Sequence, residues 1–564
     1  MPCLVLKYLV SFKLEVYTMK AILKLNVFFA LLFFHCSVNG VNYYVNSVTG
    51  SDTNSGVSSG AAFATLKRVS MVDLQPGDTI FLAKGLVYRG SLELKNVEGT
   101  SLSPIVVSSY RDQKTGSDQL PLIDATGYYN GVLLENCSYI QVKNIAITAS
   151  GIGDGLDEEG DMRCGVLVNT SREGDYQNIR LEDLLIRDVF FENPGYERGA
   201  DEVRTANGTQ RYGWGIRVIN RTQGALINDV FISNCTITNV AHTGIKFTAF
   251  TNGIQNIGVY YNKVYSVGGP GIQFSGVHQA HVAYNRVSHS GSDDDSRKWG
   301  RGSGLWTWGS SDFVIEHNEF LHANGPGDSA GCHIDYNCHN IIVQYNLSAN
   351  NAGGFIEVLG NNYNCAYRYN VSINDGHRVR GERGAFQEGK VFWLSGYQGN
   401  RPRFGPFNSY FYNNTIYVHE EIESKFAVTN SAEGVMVANN IFYIKGNTKT
   451  VLGDQNRPDA GGDGLVKNLV FSNNLYLNSG VWPDDVVIQD QSPIFGSPEF
   501  VNPGGSQIRD YMPTNLALTA GNGIPIHALP GDDIGLFTGL DVDYDILGNK
   551  ILGKPFMGAI QVAE

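Results

Sequence analysis

Apolar and polar residues alternate along this chain in short stretches, and the stretches end at corners marked by Gly or Asn. One phrase, aromatic-Asn-x-apolar after alternating apolar residues, recurs throughout the middle of the chain. It reads VYYNKV at Val259–Val264, VAYNRV at Val282–Val287, IEHNEF at Ile315–Phe320, VQYNLS at Val343–Ser348 and YRYNVS at Tyr367–Ser372. Looser copies follow at Tyr412–Ile416, Ala438–Phe442 and Ser472–Tyr476. The intervals between these asparagines include 23, 28 and 24 residues. Period-two alternation predicts strands, and recurrence at this spacing predicts a solenoid whose coils bury their apolar faces only against one another. The Asn is expected at a sharp corner, where it tolerates left-handed backbone and can hydrogen-bond to its stacked neighbours. Leucine-rich and helical repeats fit poorly, because no 3.6-residue period is sustained.

A second phrase opens on Gly and predicts another strand of each coil: GIRVI (Gly215–Ile219), GIKFT (Gly244–Thr248), GIQFS (Gly271–Ser275), GLWTW (Gly304–Trp308), GCHID (Gly331–Asp335) and GGFIE (Gly353–Glu357). Strand side chains alternate between faces. The first and third residues after Gly should therefore point inward and the second and fourth outward. The outward face then carries Arg217, Lys246, Gln273, Trp306, Trp308, His333, Asp335, Phe355 and Glu357 in successive coils.

Composition agrees with an all-β chain. Of 564 residues, 66 are Gly, which suits many tight turns and not a helical protein. The formal net charge of -13 argues against nucleic acid, which requires a basic footprint. Cys137, Cys164, Cys235, Cys332, Cys338 and Cys365 include no C-x-x-C pair, so a zinc knuckle is not expected, and they read best as small buried residues. Met19-Lys20 followed by the apolar run Ala21–Phe34 and by Val38-Asn39-Gly40 reads as an export signal. The expected location is secreted or periplasmic. A surface lipoprotein anchored through Cys36 is the alternative, against which His35 argues. The predicted organisation is leader through residue 40, cap and first coils over 41–130, helix body over 131–490 and a closing segment over 491–564.

The opening YYVNSVTGSDTNSG (Tyr43–Gly56), with FATLKR (Phe63–Arg68) and LQPGDTIFL (Leu74–Leu82), resembles the start of pectate-lyase-like β-helix proteins. The ending SPIFGSPEFVNPGG (Ser492–Gly505), with PFMGAIQ (Pro555–Gln561), is similar to their closing segment. The resemblance implies a right-handed, single-stranded parallel β-helix and an action on plant or algal carbohydrate. It leaves the reaction open among lyase, hydrolase, epimerase and binding protein.

The residues themselves favour hydrolysis. Asp335 and Glu357 lie 22 residues apart, and if Gly353 marks the strand start they occupy matching positions on adjacent coils. Stacked strands are ~4.8 Å apart, so the two carboxyl groups would lie about 5 Å apart, a spacing that suits a retaining glycoside hydrolase. By resemblance to β-helix glycosidases, Asp335 is then the nucleophile and Glu357 the acid/base. Trp306 and Trp308 supply apolar platforms for sugar rings. His333, Lys246, Gln273, Arg217, His322, Asp328 and Arg378 are expected substrate contacts. Arg378 belongs to a basic segment from His377 to Arg403 that could bind a uronate or sulfate.

Two other readings stand beside this one. A polysaccharide lyase would use Lys246, Arg217 or Arg378 to remove the proton beside a uronate carboxylate, and a glycan-binding β-helix would need only the tryptophans. No cofactor is required, although Asp293-Asp294-Asp295 offers oxygen ligands for Ca²⁺. The expected partner is a carbohydrate, bound by a monomer with no membrane span.

Overall fold

The computed structural model describes residues 40–151, 162–205, 208, 211–250, 252–453 and 465–562. Apart from Gly40, the expected leader lies outside these residues. Residues 41–564 form one compact unit.

Three long parallel sheets run the length of this unit, with 14, 12 and 14 strands among the described residues. Each strand pairs with the strands one coil earlier and one coil later, which through the body of the stack are three strands apart in sequence. Only at the two ends do consecutive strands pair, Asn42–Val45 with Thr79–Ala83 and Leu475–Tyr476 with Ile494–Phe495. That order makes a parallel β-helix, right-handed as parallel crossovers are; the alternating pattern predicts the solenoid, and the family resemblance implies its hand. The first sheet begins at Asn42–Val45 and the third ends at Ile494–Phe495. The 12-stranded sheet contains every Gly-led strand. The interior is an unbroken column of Ile, Val, Leu and Phe; Phe247 and Phe274, for example, stack at 5.0 Å. The six described cysteines, Cys137, Cys164, Cys235, Cys332, Cys338 and Cys365, are buried and form no disulfide.

Gly opens these strands because the corner leaves no room for a side chain. A Cβ at Gly271 would come within 2.2 Å of a Val287 methyl, and one at Gly304 within 2.8 Å of the Phe320 ring.

The repeat asparagine turns out to have a different job from the corner residue. The left-handed conformation falls one position earlier, on Tyr261, Tyr284, His317, Tyr345 and Tyr369. The Asn itself points inward. Its side-chain amide donates to the next Asn in a file running 262, 285, 318, 346, 370, 414, 440 and 474, which ends on the Asp490 carboxylate. The corner aromatics stack outside, Tyr261 on Tyr284 and Tyr284 on His317. The closing segment clasps the far end of this stack: Tyr345 donates to the Tyr544 carbonyl and Tyr412 to that of Leu540. No helix among the described residues is long and apolar enough to cross a membrane.

Candidate active site

One file of outward side chains runs down the 12-stranded sheet. Arg217 pairs with Lys246, Lys246 with Gln273, Gln273 with Trp306, and Trp306 with His333. The file continues through Glu357 to Trp393. Two positions further along the strands, Ser275 pairs with Trp308, and Asp335 follows on the next coil. A cleft of about 850 Å³ opens over the lower rungs of both files, within the size range of small-ligand sites.

The register between the last two Gly-led strands differs from the sequence expectation. Ala330 bridges to Gly354 and Ile334 pairs with Val358, an offset of 24 residues where 22 was expected. The strand has slipped by two positions, so parity is kept and Glu357 still faces outward. It no longer stands over Asp335. Its rung partner is His333, whose Nε2 lies 3.0 Å from Glu357 Oε1. Asp335 and Glu357 are diagonal neighbours, and the ~8 Å between such positions removes the argument for a 5 Å carboxylate pair. Phe355, expected outside, is displaced into the core against Tyr367.

Asp335 stands at the end of its strand with its carboxylate fixed at both oxygens. The Trp306 indole N–H donates to Oδ2 at 2.8 Å and the Tyr336 backbone N–H donates to Oδ1 at 2.7 Å. Trp306 is thereby spent as a positioning group; it is buried and lies parallel to the His333 ring at 5.8 Å. Trp308 is 43% exposed and offers the open face expected of a sugar platform.

Asp328 enters the cleft from the preceding loop. It and Ser329 are consecutive residues with positive φ, 50° and 70°. Strain of this kind persists only where neighbours impose it. Here Arg378 donates to the Gly325 and Asp328 carbonyls, and the Asp328 N–H is held by Gln387 Oε1 at 2.9 Å. Arg301 Nε donates to Asp328 Oδ2 at 2.8 Å. Burial acts to raise the Asp328 pKa, but the Arg301 charge, with His333 and Arg378 behind it, brings it below the usual carboxylate value. Asp328 is therefore an anion at neutral pH.

Glu357 is the opposite case. Burial pushes its pKa well above the usual value, the Asp328 charge adds to this, and Lys390 only partly offsets it. Burial also lowers His333 to about 4. Its Nε2 faces Glu357 and its Nδ1 is buried without a hydrogen-bond partner among the described residues. The cleft thus holds an anchored anion in Asp328, a buried carboxyl group of raised pKa in Glu357, and Asp335 beside them.

Of the remaining expected contacts, Gln273 lines the cleft. Arg217, Lys246, His322 and Arg378 do not, and each has a physical reason. Arg217 and Lys246 occupy the upper rungs of the same file, buried outside the cleft, with Arg217 stacked over Trp214. Burial, reinforced by Arg217 and Arg221, lowers the Lys246 pKa strongly. His322 stacks outside the cleft on His289. Arg378 is a brace for the Asp328 loop. In the acidic run, Asp294 pairs with Lys298 and Asp295 with Arg297, so two of the three offered Ca²⁺ ligands are engaged by cations.

Sequence reading missed Arg301, Gln387 and Trp393. Trp393 was reachable, since KVFWL is the next rung of the same file. Arg301 and Gln387 act from loops, which carry no period to reveal them.

Fold and cleft together define a parallel β-helix with a cleft over one of its three sheets. No family profile matches the chain. Its sequence is similar to the lacto-N-biosidase of Bifidobacterium longum subsp. longum, at 25% identity over 630 aligned positions that take in 93% of this chain and 36% of the relative. The chain thus spans about a third of that relative's length. The native GH136 lacto-N-biosidase from Eubacterium ramulus superposes with a TM-score of 0.50 at 21% identity, covering 81% of this chain and 68% of the other. XylC in complex with xylose gives 0.48 at 12% identity, covering 93% and 99%. The Eubacterium ramulus structure establishes the fold.

Proposed function

We propose that this chain is an exported glycoside hydrolase whose reacting groups are Asp328 and Asp335. The observation that carries this reading is the opening of both carboxylates into one cleft beside Trp306 and Trp308. Hydrolysis of a glycosidic bond needs two carboxyl groups, one to donate a proton and one to act at the sugar carbon directly or through water.

Asp328 suits the second role. It is ionised, anchored by Arg301, and its side chain keeps 15% exposure where that of Glu357 keeps 3%. Asp335 lies at the strand end, next to the exposed face of Trp308 where a leaving group would rest.

A second assignment is favoured by one observation. Burial raises the Glu357 pKa, which suits a proton donor, and with Asp335 as nucleophile this would preserve the roles expected from sequence. The retaining outcome expected with it has lost its spacing argument, and the anomer first released, followed by proton NMR, decides it.

Elimination is disfavoured by position: Lys246, Arg217 and Arg378, the candidate bases, lie outside the cleft. Similarity to two lacto-N-biosidases makes lacto-N-biosides the first substrates to try. New reducing ends without the ultraviolet absorbance of an unsaturated uronate would support the proposal. That absorbance, or binding without turnover across a glycan panel, would defeat it.

A further inference from the structure

We infer that the outer bank of the cleft, formed by Phe250, Trp308, Tyr336 and Arg401, is a subsite for a sugar bearing a negatively charged substituent. All four line the cleft: Trp308 ends its Gly-led strand, Phe250 and Tyr336 follow the ends of theirs, and Arg401 comes from the loop after Lys390–Leu394. Arg301 and Asp328, the inner bank, come instead from segments that precede their strands. The two banks differ in chemistry. The inner one is buried and its arginine is neutralised by Asp328. The outer one is open and aromatic: Phe250 is 68% exposed and Trp308 43%.

Tyr336 joins the bank together. Its ring lies 5.2 Å from that of Trp308, and its hydroxyl accepts from Arg401 Nη1 at 2.5 Å. That contact holds the guanidinium at the cleft wall by one nitrogen. No carboxylate lies within 4 Å of Arg401 among the described residues, in a chain whose net charge is -13. A guanidinium with donors to spare beside an exposed indole fits a pyranose ring stacked on the aromatic face, with a carboxylate or sulfate reaching the arginine. The basic segment of the sequence thereby divides by position: Arg378 braces a loop, and Arg401 faces the ligand.

That this sugar belongs to the leaving group rests on the hydrolase proposal; its charge preference does not. The test therefore has a binding arm and a turnover arm. Ligand-observed NMR titrations would compare methyl β-D-glucoside, methyl β-D-glucuronide and methyl β-D-glucoside 6-sulfate on the full chain. The wild type should bind at least one anionic probe about five-fold or more tighter than the neutral one, and the tighter of the two anions identifies the substituent. Arg401→Gln should erase the preference, and Trp308→Ala should weaken all three probes. Equal affinities in the wild type, or a preference that survives Arg401→Gln, would overturn the subsite.

In the turnover arm, lacto-N-biosides carrying the same three leaving groups should show KM rising on Arg401→Gln for the anionic ones alone, with kcat unchanged. Absence of turnover together with a surviving binding preference would remove the hydrolase reading and leave the subsite standing. Turnover without any charge preference would do the reverse.

Discussion

The Trp306 indole donates its N–H to Asp335 Oδ2 at 2.8 Å, across one rung of the sheet. An aromatic residue on the floor of the cleft thus serves as a positioning group for a carboxyl group. A hydrogen bond to a neutral acceptor, as Asp335 is when it acts as proton donor, contributes about 0.5–1.5 kcal/mol, which corresponds to roughly 2- to 13-fold in rate where the geometry matters only in the transition state. Trp306→Phe keeps the ring and loses the donor, so kcat should fall within that range while circular dichroism stays unchanged. Asp335→Asn should lower kcat by about 1,000-fold or more. Wild-type rates in Trp306→Phe would show that Asp335 needs no such hold.

Three carboxyl groups share the cleft, and their charge states make them separable by mutation. Burial and the Asp328 charge raise the Glu357 pKa and so favour its neutral form. Gln is nearly isosteric with a protonated carboxyl group, so Glu357→Gln should unfold at the wild-type temperature. If Asp328 and Asp335 react, this variant should keep turnover within about ten-fold, whereas Asp328→Asn should lose about 1,000-fold or more. A collapse of kcat in Glu357→Gln, with Asp328→Asn still active, would reverse the assignment. Thermal unfolding and steady-state rates on the same three preparations distinguish these outcomes.

The fold was legible because every coil repeats the same demand. Alternation set the strands, Gly marked one corner, and the asparagine file set the coil length. The face of the site was legible for the same reason, since parity alone puts Trp306, His333, Asp335 and Glu357 outside. Which residues meet across the coils was not. At Gly353-Gly354 either glycine is a plausible start, and the strand in fact begins its Gly-led position on Phe355, a large residue turned into the core. A slip of two preserves the in-out pattern, so nothing in that pattern reveals it. Burial of the upper rungs was equally hidden. Arg217 and Lys246 are outward by parity, but they lie beside a second apolar cluster around Tyr212, Trp214 and Trp299 that only the folded chain assembles.

The asparagine file gives a stability prediction free of the active site. The Asn346 side chain accepts from the Asn318 backbone and side chain, and donates to the Ile315 and Gln344 carbonyls and to Asn370. Asn346→Ala would leave several of these buried groups unpaired, each costing about 1–3 kcal/mol before relaxation. Unfolding should shift to clearly lower denaturant, and Asn346→Asp should also be destabilised, since a carboxylate cannot donate to the carbonyls. An unchanged midpoint in Asn346→Ala would mean that water replaces the amide without loss.

Asp375 should make stability depend on pH. It closes a shorter file, where its carboxyl group accepts from the Asn351 backbone and side chain and from Ser372. Burial outweighs these hydrogen bonds and raises its pKa to about 7. The unfolded value is about 3.9. Because the folded value is the higher one, the contribution is fully present below about pH 4 and is lost as pH rises toward 7. At ~1.4 kcal/mol per unit the loss is at most about 4 kcal/mol. Asp375→Asn titrates nowhere in this window, so the difference in melting temperature between wild type and variant should move in the variant's favour between pH 4 and pH 8. Calorimetric scans at matched ionic strength would check it. A difference that stays flat across that range would show that Asp375 ionises in the fold as it does in water.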